Sequence, residues 1–166
     1  MQKIDTIENL KFSIGGYSTI SFSMRALYNI ANYDASVSSF HPEITKNKKY
    51  SDNQMQELIS KLNDLQILKW KAKYQSDILD GIQWELKINY NNSKVIKIDG
   101  SNAYPNAKYE VVLEETPLFQ NFLKALAEFI EIKGWKALGN KLIDAKLTKV
   151  EKLESGQVDE ETEVLE

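Results

Sequence analysis

The chain has no cysteine and a single histidine among its 166 residues. The absence of cysteine excludes disulfides, a thiolate nucleophile and zinc–thiolate sites. His41 has no second imidazole to join it, so a transition-metal site would need carboxylates as its other ligands. We therefore expect His41 to be structural or exposed to solvent, and we predict no cofactor.

Long apolar runs and nucleophile motifs are also missing. No apolar run approaches the roughly 18 residues that a membrane-spanning helix requires, and the first residues, MQKIDTIENLKF, contain no apolar signal core. The sequence has no Gly-x-Ser-x-Gly motif, no P-loop and no Gly-x-Gly-x-x-Gly motif. These absences favour a cytoplasmic protein without a membrane partner, and they argue against an enzyme.

The net charge of −3 conceals an uneven distribution of charge. Six of the 24 acidic residues lie in positions 154–166, which contain no basic residue, so positions 1–153 hold the other 18 acids and all 21 basic residues. A mildly basic body with an acidic tail is compatible with a nucleic acid or nucleoprotein partner, and equally with solubility alone.

The order of the expected elements is strands, one helix, further strands and then helices, which indicates an α+β fold. We predict an antiparallel sheet of about five strands, with two helices packed on one face and a C-terminal helix. The predicted divisions are an α+β domain over 1–134, an amphipathic helix over 135–153 and an acidic, disordered tail over 154–166.

The clearest strands form a hairpin over residues 84–98. Trp84, Leu86 and Ile88 alternate with polar residues, the pattern of a half-buried strand, and the run 91–93 (Asn-Asn-Ser) supplies the turn. The hairpin predicts a fixed register for the strands on either side of that turn.

The other strands are less regular. We predict short strands over 3–7 and 10–14, one long strand over 17–30, and a polar loop over 35–49 that contains Pro42. Residues 24–30 could instead form one or two helical turns. Residues 65–74 predict a further strand with an apolar face and a lysine face.

Capping residues mark the start of two helices. Ser51 with Gln54 three residues later resembles a capping box, and Thr116 followed by Pro117 is a hydroxyl N-cap with proline at the first helical position. We predict helices over 52–64 and 117–132. The expected core consists of large apolar residues of these helices and of the strands: Leu58, Leu62, Trp70, Trp84, Leu86, Ile88, Phe122, Leu126 and Phe129.

Lysines near aromatic side chains form the first candidate site. Such a surface can neutralise phosphates and stack on bases. In a regular strand, however, Trp70 and Tyr74 point away from the neighbouring lysines, so a core role for these aromatics is favoured. The nucleic-acid-binding candidates are Lys69, Lys71, Lys73, Lys94 and Lys97.

A short loop after the hairpin forms the second candidate site. Ser101, Asn102, Tyr104 and Pro105 combine small polar groups with one tyrosine, and the proline stiffens the loop, which reduces the entropy lost on binding. We predict that this loop binds a partner. The alternative is that Tyr104 packs back on the sheet and Asn102 bonds the loop backbone.

Three carboxylates near the ends of the hairpin form the third candidate. Asp77, Asp80 and Asp99 could bind Mg²⁺ or act as acid and base if these ends meet. Asp80 and Asp99 each precede a glycine, however, and Asp-Gly pairs are common turn formers. The architectural interpretation is favoured, and a carboxylate-only enzyme remains an alternative.

The C-terminal helix predicted over 135–153 suggests self-association. Leu138, Leu142, Val150 and Leu153 lie beyond a domain whose core is complete by about residue 132. Surplus apolar surface of this kind is often buried against another chain. We expect a homodimer or docking onto a larger partner, and the alternative is packing onto the same domain.

Three motifs in residues 70–105 carry a resemblance: Trp70-x-x-x-Tyr74, the run 80–88 (Asp-Gly-x-x-Trp-x-Leu-x-Ile) and the run 100–105 (Gly-x-Asn-x-Tyr-Pro). Together they resemble a little-characterised family of small bacterial α+β domains without an assigned activity. The resemblance covers about 65 residues including the helix that follows. It implies a fold and supplies no catalytic residues.

These features predict a non-catalytic accessory or regulatory protein that binds a macromolecular partner. A bacterial or phage defence nucleoprotein complex, of the CRISPR effector type, is the expected partner, with this chain as a subunit, modulator or inhibitor. Direct binding of RNA or DNA and a carboxylate-only metal-dependent enzyme are the two alternatives.

Overall fold

A computed structural model describes residues 2–16, 20–37, 40–77 and 81–132. The helix predicted over 135–153 and the tail predicted over 154–166 lie outside these ranges. The elements in chain order are β1 (Ile7–Gly16), β2 (Ile20–Leu27), β3 (Ile30–Val37), β4 (Phe40–Lys49), α1 (Asp52–Asp64), a 3-10 helix (Ile67–Lys69), β5 (Lys73–Gln75), β6 (Ile82–Tyr90), β7 (Lys94–Ser101), β8 (Tyr104–Pro105), β9 (Val111–Val112) and α2 (Pro117–Phe129).

Seven strands form one sheet in the order β4-β3-β2-β1-β6-β7-β5. Neighbouring strands are antiparallel, except that β5 runs parallel to β7, and β8 and β9 form a separate small hairpin. The predicted α+β class and its two helices are confirmed. The predicted count of about five strands is too low, and the sheet is mixed rather than purely antiparallel.

The strand β1 occupies the middle of the sheet. It pairs with β2 on one side and with β6 on the other. Two short strands were expected over 3–7 and 10–14, but the polar pair Glu8-Asn9 does not break β1. A register shift between Ile7 and Asn9 absorbs the irregularity as a bulge, so the strand continues.

The region predicted as one long strand over 17–30 contains β2, then a tight turn, and then the first residue of β3. Tyr28 and Asn29 have φ angles of 52° and 64° and connect β2 to β3. Two consecutive positive φ angles are typical of a type I′ hairpin turn, which is usually built from asparagine and glycine. Because tyrosine is not a turn-forming residue, the sequence pattern conceals this turn.

The polar run 35–49, expected to be a loop, contains the end of β3 and all of β4. Within the described ranges, the strand β4 lies at the edge of the sheet and has β3 as its one neighbour. An edge strand can have polar side chains along much of its length, and it tolerates proline, since one row of its N–H groups has no partner strand. Pro42 is therefore compatible with β4.

The strand predicted over 65–74 is wrong for most of its length. Gln66 has a φ of 52°, a 3-10 helix follows over Ile67–Lys69, and only Lys73–Gln75 form a strand. The indole N–H of Trp70 donates to the carbonyl of Leu65 at 3.1 Å, which stabilises this compact connection. The apolar residues of the segment thus enter the core from a turn.

Both helices begin as predicted. Ser51 and Gln54 form the capping box of α1, and the hydroxyl of Thr116 accepts a hydrogen bond from the N–H of Phe119 with Pro117 at the start of α2. The helix α1 has its predicted bounds, whereas α2 ends at Phe129, three residues earlier than predicted. None of the helices in the described ranges combines the length and apolar character needed to cross a membrane.

The buried faces of α1 and α2 share a single core with one face of the sheet. Aromatic rings occupy its centre: Phe12 of β1 contacts Phe122 of α2 with ring centroids 5.3 Å apart, and Trp84 lies 4.8 Å from Phe119. All the core residues predicted from the sequence are buried, so that prediction is confirmed.

Candidate functional site

The two faces of the large sheet differ in character. In β1, buried Leu10, Phe12 and Ile14 alternate with exposed Lys11 and Ser13. The helices cover the apolar face. We call the opposite face, on which the side chains of Lys11 and Ser13 lie, the open face.

Strand register places four basic residues in one line on the open face. Arg25 of β2 is opposite Lys11 of β1, Lys11 is opposite Lys87 of β6, and Lys87 is opposite Lys97 of β7. We call these four residues the cation row. Because adjacent strands lie about 4.8 Å apart, the row spans about 14 Å across the sheet.

Among the described residues, the cation row is only partly neutralised. Lys97 lies 3.6 Å from a carboxylate oxygen of Glu85, and the Nε of Arg25 donates to Asn9 at 3.4 Å. Within the described part of the chain, Lys11 and Lys87 form no ion pair with a carboxylate. Like charges directly opposite each other destabilise a sheet, so an external anion along this row would offset a repulsion that the fold leaves in place.

Hydroxyl groups and acids occupy the next rows of the open face. A shallow hollow of about 590 Å³ has Ser13, Ser21, Ser23 and Ser36 in its lining, and a neighbouring hollow of about 570 Å³ follows the cation row. Serine hydroxyls and basic side chains are both common contacts to phosphate oxygens. Among the described side chains, the acids of this face are Asp34, Glu85 and Asp99, of which Glu85 pairs with Lys97 and Asp99 with Lys73.

The predicted lysine candidates do not form one surface. Lys69 belongs to the 3-10 helix, Lys71 lies in the connection after it, and Lys73 is in β5 at 3.9 Å from Asp99. Lys94 pairs with buried Tyr90 and therefore lies toward the helix-covered side, whereas Lys97 lies on the open face. Of the five candidates, Lys97 alone belongs to the cation row.

The loop predicted to bind a partner is tightly packed. Tyr104 is 6% exposed, and its ring lies 4.9 Å from that of Phe119. Burial raises the pKa of its hydroxyl, and the carboxylate of Glu115 adds to the increase. The alternative, in which Tyr104 packs back, therefore describes its position.

The other members of the loop also have structural contacts. The side-chain oxygen of Asn102 accepts the N–H of Ile82 at 2.7 Å, Ser101 accepts a hydrogen bond from Gln83 at 2.8 Å, and Pro105 is buried. The contact of Asn102 gives a structural reason for the asparagine in the Gly-x-Asn-x-Tyr-Pro pattern. Partner binding by Ser101 or Asn102 remains a prediction.

The carboxylate hypothesis is only partly covered by the structure. Asp77 is exposed, Asp99 lies near Lys73, and Asp80 falls outside the described ranges. Within those ranges, no three histidine, aspartate or glutamate side chains approach each other closely enough to hold a metal ion. The predicted interface residues Leu138, Leu142, Val150 and Leu153 also fall outside the ranges, so the homodimer stays a prediction.

The sequence contains a partial signal for the residues that were missed. Lys11, Arg25 and Lys87 each stand between two apolar residues, which places a charge on the solvent side of a strand. Their alignment depends on the pairing of β1 with both β2 and β6, and β6 begins 66 residues after the end of β1. Periodicity identifies the side of a strand but not its neighbour.

Fold and surface together define an α+β domain in which helices cover one face of a seven-stranded sheet and the other face is open and carries aligned cations. Residues 83–154 match the model of a protein family described as the topoisomerase C-terminal domain of Bacteroidota. The match begins in β6, includes β7, the β8–β9 hairpin and α2, and covers somewhat less than half of the chain. No protein with a curated description matches the chain.

This match corrects two expectations. Most of the motif-bearing region lies within the match to a family model whose description names a topoisomerase domain, so the resemblance to small domains without an assigned activity is wrong. The interpretation as a subunit, modulator or inhibitor of a defence nucleoprotein complex is overturned by the same finding. The alternative of direct nucleic-acid binding agrees better with a topoisomerase domain.

Proposed function

We propose that this chain is a DNA-binding accessory domain and that it contacts the DNA backbone through the open face of its sheet. The cation row of Arg25, Lys11, Lys87 and Lys97 is the observation that carries the proposal. Four basic residues aligned on neighbouring strands provide a line of positive charge that complements a phosphate backbone. The match to a topoisomerase C-terminal domain supports DNA as the nucleic acid.

The surroundings of the row suit backbone contacts rather than base readout. An α-helix or a narrow ribbon can enter a DNA groove, whereas the row lies across a broad sheet of seven strands. The serine hydroxyls beside it can donate to phosphate oxygens, and such contacts orient a protein without reading sequence. We therefore propose binding with little dependence on base sequence.

Salt dependence of DNA binding tests the proposal. Affinity of the full chain for a labelled duplex should fall linearly in log–log form with salt, because each neutralised phosphate contributes about −0.9 to the slope. Lys11→Gln and Lys87→Gln should each weaken binding and reduce the magnitude of the slope by about 1.

Lys124→Gln provides the matched control, because Lys124 is exposed on α2 and the substitution changes the net charge equally. We expect its binding and slope to equal those of the unmodified chain. Equal weakening by Lys124→Gln would show that overall charge, not the cation row, governs binding. Tighter binding of an RNA of the same sequence would replace DNA with RNA as the ligand.

We propose further that the domain carries no catalysis of its own. The described residues place no three metal ligands together, and Lys73 already lies beside Asp99. Calorimetric titration of the full chain with Mg²⁺ and Mn²⁺ should show no stoichiometric binding. A stoichiometric isotherm that disappears in Asp80→Ala would instead favour the carboxylate-only enzyme.

A further inference from the structure

The tip of the β2–β3 hairpin presents an exposed aromatic ring. Tyr28 is 83% exposed, more than any other large apolar side chain of the described residues. Its φ of 52° lies in the left-handed region, which a bulky side chain rarely adopts and which asparagine or glycine occupies more easily. A strained, exposed aromatic contributes nothing to the core, and such residues concentrate at functional sites.

The turn that carries Tyr28 is fixed to the rest of the fold. The side-chain amide of Asn29 donates to the carbonyl of Tyr50 at 3.3 Å and to the carboxylate of Asp52 at 3.2 Å, and the N–H of Tyr50 donates to Asn29 at 3.0 Å. These bonds connect the turn to the start of α1. A ring on an anchored turn loses little conformational entropy when it binds a ligand.

The turn residue Tyr28 is also near the cation row along the chain. Tyr28 follows Arg25 by three residues, about 10 Å along a strand. At the end of β2, Leu27 pairs with Ile30, which is 43% exposed. The cation row is therefore followed by a small apolar area at the hairpin tip. The cation row and the hairpin tip that carries Tyr28 are therefore neighbours along β2.

We propose that Tyr28 stacks on an unpaired base of a DNA strand whose phosphates lie along the cation row. The proposal rests on DNA binding by the open face and specifies the form of the DNA. In a duplex each base is stacked between its neighbours, so a protein ring has access to a base face only where the DNA is single-stranded or melted. Tyr28 thus gives the domain a preference for DNA with unpaired bases.

Binding of the chain to one DNA sequence in its single-stranded and its duplex form tests the stacking role of Tyr28. The full chain is titrated with a single strand that contains 2-aminopurine and with the corresponding duplex. Tyr28→Asn removes the ring and suits the turn, Tyr28→Phe retains the ring, and Leu113→Ala is the control because Leu113 is 62% exposed beyond β9.

We expect Tyr28→Asn to lose about five-fold or more in affinity for the single strand, the lower end of measured base–aromatic stacking. Its affinity for the duplex should not change, and Tyr28→Phe and Leu113→Ala should bind like the unmodified chain. The change in 2-aminopurine fluorescence on binding should be present with Tyr28→Phe and absent with Tyr28→Asn.

The outcomes separate this inference from the proposed function. If Tyr28→Asn binds both forms normally while Lys11→Gln weakens both, the stacking role is refuted and backbone binding stands. If the unmodified chain binds neither form, both proposals fail. A change from dimer to monomer in Tyr28→Asn, with DNA binding intact, would identify Tyr28 as a protein-contact residue and refute stacking.

Discussion

Gly100 is the clearest residue whose identity is dictated by a neighbour. It lies opposite Trp84 in the β6–β7 pair, and a Cβ added at Gly100 would come within 2.1 Å of the indole nitrogen and 2.2 Å of Cε2. The indole N–H donates to the carbonyl of Ala103 at 3.0 Å. The Gly100 position thus lets the ring lie flat on the strand and bond to the start of the loop.

Gly100→Ala should therefore destabilise the protein by about 1–3 kcal/mol, the usual range for overpacking, because the indole has to move and its hydrogen bond is strained. Denaturant unfolding measures the change. In a Trp84→Leu background the same substitution should cost much less, since the colliding ring is absent. Equal costs in both backgrounds would mean that the clash with Trp84 is not the cause.

Tyr28, unlike Gly100, is a residue that does not suit its own backbone conformation. Its left-handed conformation costs roughly 1–2 kcal/mol for an ordinary L-residue, and Asn29, its neighbour in the turn, suits the same conformation far better. The pattern of Ile20, Phe22, Met24 and Ala26 therefore predicts β2 correctly, but nothing at position 28 signals that the strand ends.

At the scale of elements, the helices and the β6–β7 hairpin could be predicted because their signals are local. Ser51 with Gln54, and Thr116 with Pro117, determine helix starts within a few residues, and the run 91–93 fixes the hairpin register. These interactions join residues that are close in sequence, so the sequence alone reveals them.

The remaining elements depend on distant partners. The strand β4 is polar and is a strand because β3 lies beside it, and β5 is three residues long and exists through pairing with β7. Residues 65–74 alternate like a strand, yet Leu65 accepts the indole N–H of Trp70 and the chain turns. The cation row could not be predicted from the sequence for the same reason, because its four residues become aligned only when the strands pair in the sheet.

At the scale of the whole molecule, four tyrosines link stability to alkaline pH. Burial is the largest cause of a raised pKa at Tyr33, Tyr50, Tyr74 and Tyr104. Below about pH 10 these hydroxyls are protonated in both the folded and the unfolded chain, so a change of pH in this range does not alter stability through them. Above it, the unfolded chain releases protons that the folded chain retains, and stability falls as pH rises through the folded pKa values.

We expect the free energy of unfolding to decline above about pH 10, and Tyr104→Phe to reduce that decline. One tyrosine contributes at most about 1.4 kcal/mol per pH unit, and phenylalanine retains the buried ring that packs on Phe119. Urea unfolding between pH 8 and 11.5 measures both slopes. Parallel curves for Tyr104→Phe and the unmodified chain would show that the Tyr104 hydroxyl does not contribute.

The central position of β1 has a consequence for synthesis of the chain on the ribosome. Its partner β2 follows almost at once, whereas β6 is made 66 or more residues after β1 ends. At about 5–20 residues per second, synthesis of 66 residues takes roughly 3–13 s, and one edge of β1 has no partner strand during that time. During that interval Leu10, Phe12 and Ile14 have neither β6 nor α2 to cover them. The nascent chain therefore acquires its core late, when the hairpin and α2 emerge, and chaperones have the longest access to β1.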